Sequence, residues 1–464
     1  VEISEVFFRQ KQKKAEHFTP TIGERKAMLR KLRAWIVFNR ENIIEAVFRD
    51  FRKPETETVL TEIKVVLAEI DQALKNLKQW MAPKKVKGDL IFLGTKSIIY
   101  REPAGVVLIL APWNFPFNLT VGPLVSAIAA GNSVIIKPSE YTGFTTALME
   151  RMAGEIFSPD DVFVIPGGPE IAEELIRLPF DHIFFTGSPE TGKKVMKAAA
   201  EHLATVTLEL GGQNPLIIHE SADLEDAARK IIYGKCINAG QSCLSPNCLY
   251  IPEQLLPQFT AFLKKAFGNL YGNMDLLKSN PDFGRIISER HFDRLNALVE
   301  DARISGASDI LCGIPERAER FMPLTVLLNP GKDSKILNDE IFGPLLPVVT
   351  YQDLRKLYAE LNHKPVPLAA YFFGRSGKRE FMGQVRSGTA VINDTTLHFI
   401  HPGLPFGGKG FSGIGKAHGF AGFLSFSHER PLLQQRRGFT TARLVYPPYT
   451  KSVKRFVEII YRWL

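Results

Sequence analysis

The spacing of apolar positions changes along this chain near residue 81. Up to that point they recur at helical intervals among Lys, Arg and Glu, which predicts amphipathic helices broken at Pro20 and Pro54. Beyond it, short β-branched and apolar runs alternate with helical segments. Val106–Leu110, Ser133–Lys137, Val162–Pro166, His182–Thr186 and Thr205–Leu210 read as strands. Their nearly unbroken apolar character fits strands covered on both faces by helices, and the succession predicts a parallel, doubly wound α/β sheet. A second series begins near Pro215: Pro215–Ile218, Leu249–Ile251, Leu346–Thr350, Leu368–Phe373 and Ala390–Asn393. It predicts a second α/β unit, closed by glycine-rich turns between Gly403 and Gly422. No internal repeat or low-complexity linker interrupts the pattern.

A chain of 464 residues is long for one core, so two or three domains are expected. Its 45% hydrophobic and 23% charged residues describe a globular protein rather than a disordered one. The net charge of +9 raises nucleic acid or an anionic membrane as partners. Most basic residues are interleaved with acidic ones, however. The local excesses at Lys11, Lys13 and Lys14, at Lys84, Lys85 and Lys87, and from Arg436 onward carry no interleaved aromatics, so no nucleic-acid groove is read. The four cysteines, Cys236, Cys243, Cys248 and Cys312, match no C-x-x-C pattern and are too few for a disulfide framework. A reducing, cytoplasmic setting is the expectation. The first residues do not place a basic segment, an apolar stretch and a cleavage site in series. Residues 103–136 carry no charge over 34 positions, long enough for a bilayer, but Pro103, Pro112, Pro116, Pro123 and Gly131 break the run. Strand, loop, helix and strand inside a core is the better reading.

Two glycine patterns invite a nucleotide reading. Gly408, Gly410 and Gly413 spell G-x-G-x-x-G, but late in the chain, in a loop close behind Pro405, which predicts a tight turn instead. Gly187 to Lys193 fits G-x-x-x-x-G-K after a strand and before a helix. A P-loop then needs Ser or Thr for magnesium, and position 194 is Lys. What survives is a helix N-terminus able to receive a phosphate.

Three further segments combine chemically. Thr207–Gly212 ends a strand with the Glu209 carboxylate and two glycines. Gly240-Gln241-Ser242-Cys243 sets a thiol beside a glycine turn, and Ala111–Pro116 follows a strand with the Asn114 amide. Thiol, carboxylate and amide donor are the parts needed to make and hydrolyse a thioester. Singly, each has an ordinary reading: a buried small cysteine, a strand-end glutamate in an ion pair, a loop that packs a tryptophan.

Together they resemble the motifs of the aldehyde dehydrogenase superfamily. Glu209-Leu210-Gly211-Gly212 and Gly240–Cys243 are similar to its two signatures. Pro112–Pro116, Lys137-Pro138-Ser139-Glu140, Phe185–Ser188, Glu340–Pro344 and Leu404–Gly408 match further motifs in the family's order, and the likeness runs from about position 20 to 445. Tyr446-Pro447-Pro448 before an extra tail most resembles class-three members, including fatty aldehyde dehydrogenases. The resemblance implies an α/β fold with a Rossmann-type NAD(P)-binding domain (1–81 and 105–210) and an α/β catalytic domain (211–422). It also implies a small β oligomerisation element (82–104 and 423–446) and a C-terminal tail (447–464). It implies oxidation of aldehydes to carboxylic acids: Cys243 as the nucleophile forming a thiohemiacetal and then a thioester, the Asn114 amide and the Cys243 N–H holding the oxyanion, and Glu209 activating water. For the cofactor it implies Lys137 and Glu140 near the adenosine ribose, and Gly187, Ser188 and Gly192 at the pyrophosphate. Glu340 would hold the nicotinamide ribose with Phe342 near the ring; Trp113, Thr186, Leu210 and Gly211 complete the set. The charge of Glu140 favours NAD, with NADP left open. No metal is implied; a homodimer and medium- or long-chain aliphatic or other apolar aldehydes are.

Two positions depart from the family pattern: Gln213 stands where Lys is common, and Leu244–Cys248 is not a common class-three version. Cys236 and Cys248 have no assigned role. In the tail, Val453, Phe456, Val457, Ile460 and Leu464 recur at helical spacing over roughly 20 Å, too short to cross a bilayer. Peripheral membrane contact, with Tyr461 and Trp463 near the headgroups, and docking on the body or a dimer partner both stay open. The tail is expected to border a hydrophobic substrate entrance. Two rival functions are a CoA-acylating enzyme, against which Glu209 argues, and a noncatalytic protein on the same fold.

Overall fold

The computed structural model describes residues 3–16, 20–89, 92–438 and 440–463; Leu464 of the tail pattern lies outside them. The described part of the first 81 residues is helical, as the periodicity predicts: Ile3–Glu16, Ile22–Phe38, Arg40–Phe51 and Lys64–Met81. Thr21 and Glu24 close the start of the second helix as a capping box. A break that the pattern did not predict falls at Asn39, whose N–H and Nδ2 both donate to the Trp35 carbonyl. An i→i+5 turn, Val59–Ile63, also widens the backbone just before the last of these helices.

In chain order the strands are β1 (Lys84–Val86), β2 (Thr95–Pro103), β3 (Val106–Leu110), β4 (Ser133–Lys137), β5 (Val162–Val164), β6 (His182–Gly187) and β7 (Thr205–Leu210). The second series is β8 (Pro215–Ile218), β9 (Cys248–Pro252), β10 (Ser308–Leu311), β11 (Thr325–Leu328), β12 (Leu345–Tyr351), β13 (Ala369–Phe373) and β14 (Thr389–Ile392). It is followed by β15 (Gly413–Ile414) and β16 (Ser427–Gln435). Three sheets result, ordered β15-β7-β6-β3-β4-β5, β10-β11-β12-β9-β8-β13-β14 and β1-β2-β16. The two large sheets are parallel except at one edge each, where β15 and β10 run antiparallel to their neighbours. The purely parallel reading is corrected there: both edge strands are short, β15 follows a loop, and β10, though it follows helix Glu289–Ile304, turns back into β11 through a loop rather than a crossover helix.

Side-chain alternation explains the continuous apolar runs. In β3, Val107 and Ile109 join the core under the N-terminal helices, whereas Val106, Leu108 and Leu110 join the core on the opposite face, and all are buried. The uncharged stretch is β3, a loop, helix Asn118–Ala130 and β4, within one buried layer. Among the described residues no helix is long and apolar enough to cross a membrane.

The order of the first sheet reverses at β3, whose neighbours β4 and β6 lead to opposite edges. In open α/β sheets such a reversal leaves a crevice at the carboxyl ends of the strands. A wholly buried ion pair braces one wall of it. Lys53 Nζ donates to Glu62 Oε1 at 2.7 Å, and the other oxygen of Glu62 accepts the Asn118 N–H at 2.9 Å. Lys53→Met should therefore lower stability by about 3–5 kcal/mol, because it strands a buried carboxylate; chemical denaturation measures it.

Candidate active site

Glu209 sits at the inner end of β7. Thr186 of β6 pairs beside it, and Gly413 of β15 lies opposite on the other side. The G-x-G-x-x-G segment is thus a tight turn, as predicted, and it braces this strand: a Cβ at Gly408 would lie 2.0 Å from the Ser412 carbonyl. Both carboxylate oxygens of Glu209 are buried without a hydrogen-bond partner.

The thiol segment is held by backbone. Asn238, Ala239 and Gly240 all have positive φ, and a Cβ at Gly240 would lie 2.3 Å from the Gly343 carbonyl, so that turn needs glycine. Gln241 is fully buried and stitches the turn to the segment at 285–287, accepting the Ile287 N–H at 2.9 Å and donating to the Arg285 carbonyl at 2.9 Å. Asn238 is anchored at its N–H by Glu57 (2.8 Å) and donates from Nδ2 to the Asn114 carbonyl (2.8 Å). Asn114 in turn donates one amide hydrogen to the Gln241 carbonyl at 3.2 Å. Its second N–H stays available, because an amide nitrogen carries two donors. The N–H groups of Cys243 and Leu244 face the sulfur.

Cys243 stands where cavities meet. One, of about 440 Å³, is also lined by Asn114, Glu209, Trp113, Gly211, Glu340 and Phe342. A second, also about 440 Å³, is walled chiefly by apolar side chains, among them Leu60, Val65, Leu119, Leu397, Phe399 and Ile400. The i→i+5 turn contributes Leu60 and Thr61 to that wall. The three residues of the proposed chemistry therefore share one cavity, and the sulfur alone among them opens onto the apolar one as well.

Electrostatics oppose a resting thiolate. Burial, and then the charges of Glu340 and Glu209, push the Cys243 thiol well above its ordinary value. Burial likewise pushes Glu209 well up, with Lys416 opposing. Glu340 is raised to about 7 by burial, against the Gly212 N–H and Arg294. The thiol thus stays protonated near neutrality and shares its cavity with two carboxyls whose proton affinity burial raises.

The first cavity suits a dinucleotide. Thr186, Gly187 and Ser188 line it at the entrance to helix Pro189–Glu201, whose N-cap is Ser188. A Cβ at Gly187 would lie 2.5 Å from the Phe185 ring, and one at Gly211 would lie 2.1 Å from Glu340 Oε2; only glycine leaves that cradle open. Glu340 Oε1 accepts the Gly212 N–H at 3.0 Å. Trp113 packs edge-on to Phe342 at 5.2 Å. Leu210 lines the same cavity. Other expected residues fall outside it. Lys137, the last residue of β4, pairs with Glu140 at 3.1 Å, and Gly192 packs its helix onto Leu210.

Sequence reasoning missed His291 and Arg294, which line the cavity from helix Glu289–Ile304. Arg294 donates to the Glu340 and Ile341 carbonyls (3.3 and 2.6 Å) and so holds that segment. Asn247, in the segment that departs from the family pattern, does the same, accepting the Ile341 N–H at 2.8 Å and donating to the Asp339 carbonyl at 3.1 Å. A lone His and Arg on an amphipathic helix give no sequence signal. Helix Lys451–Trp463 lines neither cavity of its own chain and is largely exposed.

Residues 8–430 match the model of the aldehyde dehydrogenase family. The chain is 39% identical over 459 residues to a protein named Probable coniferyl aldehyde dehydrogenase from Pseudomonas aeruginosa, covering 98% of this chain and 95% of that one. It is 38% identical to Aldehyde dehydrogenase family 3 member A2 of Pongo abelii, covering 91% and 87%. Among solved structures, a substrate-bound state of AldH from Staphylococcus aureus superposes with a TM-score of 0.95 at 37% identity, covering 99% and 100%. An NAD+ complex of an aldehyde dehydrogenase from Bacillus cereus does so at 0.82 and 26% identity, covering 90% and 85%.

Proposed function

Because the chain belongs to the aldehyde dehydrogenase family and carries out NAD(P)-dependent aldehyde oxidation, we propose that Cys243 is its nucleophile, Asn114 its oxyanion donor and Glu209 its hydrolytic base. The observation that carries this reading is the position of the sulfur between a glycine-lined cleft and an apolar tunnel. An aldehyde entering by the tunnel meets the sulfur. The thiol proton passes to a carboxylate lining the cleft as the C–S bond forms, and the carbonyl oxygen, now an alkoxide, accepts the free Asn114 N–H and the Cys243 N–H. When bound, the nicotinamide supplies a hydride acceptor. Trp113, Thr186, Gly187, Ser188, Leu210, Gly211, Glu340 and Phe342 would hold the cofactor's nicotinamide and pyrophosphate portion. Lys137 and Glu140 would meet the adenosine ribose, where the Glu140 charge disfavours a 2′-phosphate and selects NAD. Gly192 serves by bringing its helix close to β7. Water then adds to the thioester carbon, Glu209 takes its proton, and the C–S bond breaks to release the acid. Identical acid yields with and without CoA would support this route over acyl transfer to CoA, and a CoA-dependent thioester product would overturn it.

Asn114→Ala should lower kcat roughly 10²–10³-fold, the usual effect of removing one such donor. Steady-state kinetics beside unchanged cofactor binding tests it.

We assign medium- and long-chain aliphatic or other apolar aldehydes as substrates, on the character of the tunnel wall. Each added methylene buried there contributes about 0.8 kcal/mol, so kcat/KM for straight-chain aldehydes should rise roughly fourfold per carbon until the tunnel fills. A flat series would remove the assignment. We also assign a homodimer that uses β16, the exposed strand at the edge of its sheet, with the tail's apolar stripe acting on the partner's tunnel mouth rather than on its own. Removing residues 450–464 should then raise KM for long aldehydes more than for short ones; sedimentation with anionic vesicles tests the membrane alternative.

A further inference from the structure

A third cavity reaches Cys243, and the reaction described above makes no use of it. It encloses about 40 Å³, and its wall brings Glu209 of β7 together with Glu69 of helix Lys64–Met81 and with His418. The lining is mainly apolar, but the carboxyls of Glu69 and Glu209 and the His418 ring give one water in a space of that size its polar partners. Phe184, Phe399, Phe406 and Phe426 contribute rings to the remaining wall.

Glu69 is 6% exposed, and among the described residues no Lys or Arg pairs with it. One of its oxygens accepts the Gly419 N–H at 2.9 Å; the other lies 3.6 Å from Nδ1 of His418. His418 has φ 72 and ψ 140, a backbone conformation that non-glycine residues adopt at a cost. Burial raises Glu69 to about 7 and lowers His418 to about 4, so near neutrality the histidine is uncharged and the carboxylate can still take a proton. His398 faces His418, and Lys416 and Cys243 face Glu209. Glu209 presents two buried oxygens with no partner at all.

We propose that Glu69, positioned by His418, relays the proton of hydrolysis: it accepts, through a water enclosed in this cavity, the proton that Glu209 takes from the attacking water. The inference rests on Glu209 being the base. Water gives its oxygen to the thioester carbon and one proton to Glu209, and the electron pair of the breaking C–S bond stays on sulfur. Glu209 then passes its proton to the enclosed water, which passes one to Glu69, and Glu209 returns to carboxylate. No redox partner is needed. The route matters because the acyl chain fills the tunnel and the cofactor the cleft when this proton must leave Glu209.

Glu69→Gln keeps an acceptor for the Gly419 N–H while removing the proton site. Single-turnover NADH formation should be unchanged. Release of acid from the acyl-enzyme should slow roughly tenfold and lose its dependence on a group titrating near neutrality. Unchanged acid release, or NADH formation slowed equally with it, would overturn the relay. Should that variant fail to fold, His418→Asn, which keeps a polar side chain while removing the imidazole, decides by the same readouts. Its acid release must slow with NADH formation intact, or the relay falls. Glu209→Gln separates the two layers: if it still hydrolyses the acyl-enzyme, the base assignment fails. If it does not, and Glu69→Gln is normal, only the relay fails.

Discussion

Alanine in place of Cys243 should abolish aldehyde-dependent NADH formation, a fall of at least about 10⁴-fold in kcat, while the cofactor still binds. No other thiol lines the cavity; Ser242 is buried, and the hydroxyls of Thr186 and Ser188 are much weaker nucleophiles than a thiol. Fluorescence titration with NADH and absorbance assays with aldehyde measure the two halves. Turnover persisting in the variant would mean that no covalent intermediate forms here, and the roles of Asn114 and Glu209 would fall with it.

The second large effect concerns Glu209→Gln. One equivalent of NADH per thiol should form at a normal rate and turnover should then stop, with steady-state kcat down about 10²–10⁴-fold. The variant should also be the more stable protein in alkali. In the unfolded chain this carboxyl ionises near 4.5, and burial holds it well above that in the folded chain. Between those values the folded state binds the extra proton, so this group's contribution is present at low pH and is lost as pH rises through the folded pKa. Glutamine removes that loss. Melting temperatures of the two proteins should agree near pH 4 and separate in favour of the variant as pH rises; the reverse order would contradict the buried, unpartnered carboxyl.

Much of this was legible in the residues. β3, β4, β7 and β8 begin and end where their apolar-rich runs do, because all but the opening of β7 at Thr205 and Val206 is buried on both faces. Cys243, Glu209 and Asn114, far apart in sequence, line one cavity. What escaped had no local signature. β10 opens with exposed Ser308 and Asp309 at a sheet edge, and the break at Asn39 depends on one side chain folding back on its own helix. The tunnel wall comes from separated segments around Leu60, Leu119, Tyr233 and Phe399, whose side chains look like any other core residues until the chain is folded. The raised pKa of the thiol follows from burial and two distant carboxylates, which spacing along a chain cannot express.

A nucleophile reached from two sides has a kinetic consequence. On the proposed reading coenzyme arrives by the glycine-lined cleft and aldehyde by the apolar tunnel, so neither must depart for the other to come or go. The acid can back out along its own path while reduced coenzyme lingers, and inhibitors lodged in one passage should leave the opposite one open. Competition against one reactant and noncompetitive behaviour against the other is the pattern such a crossroads imposes.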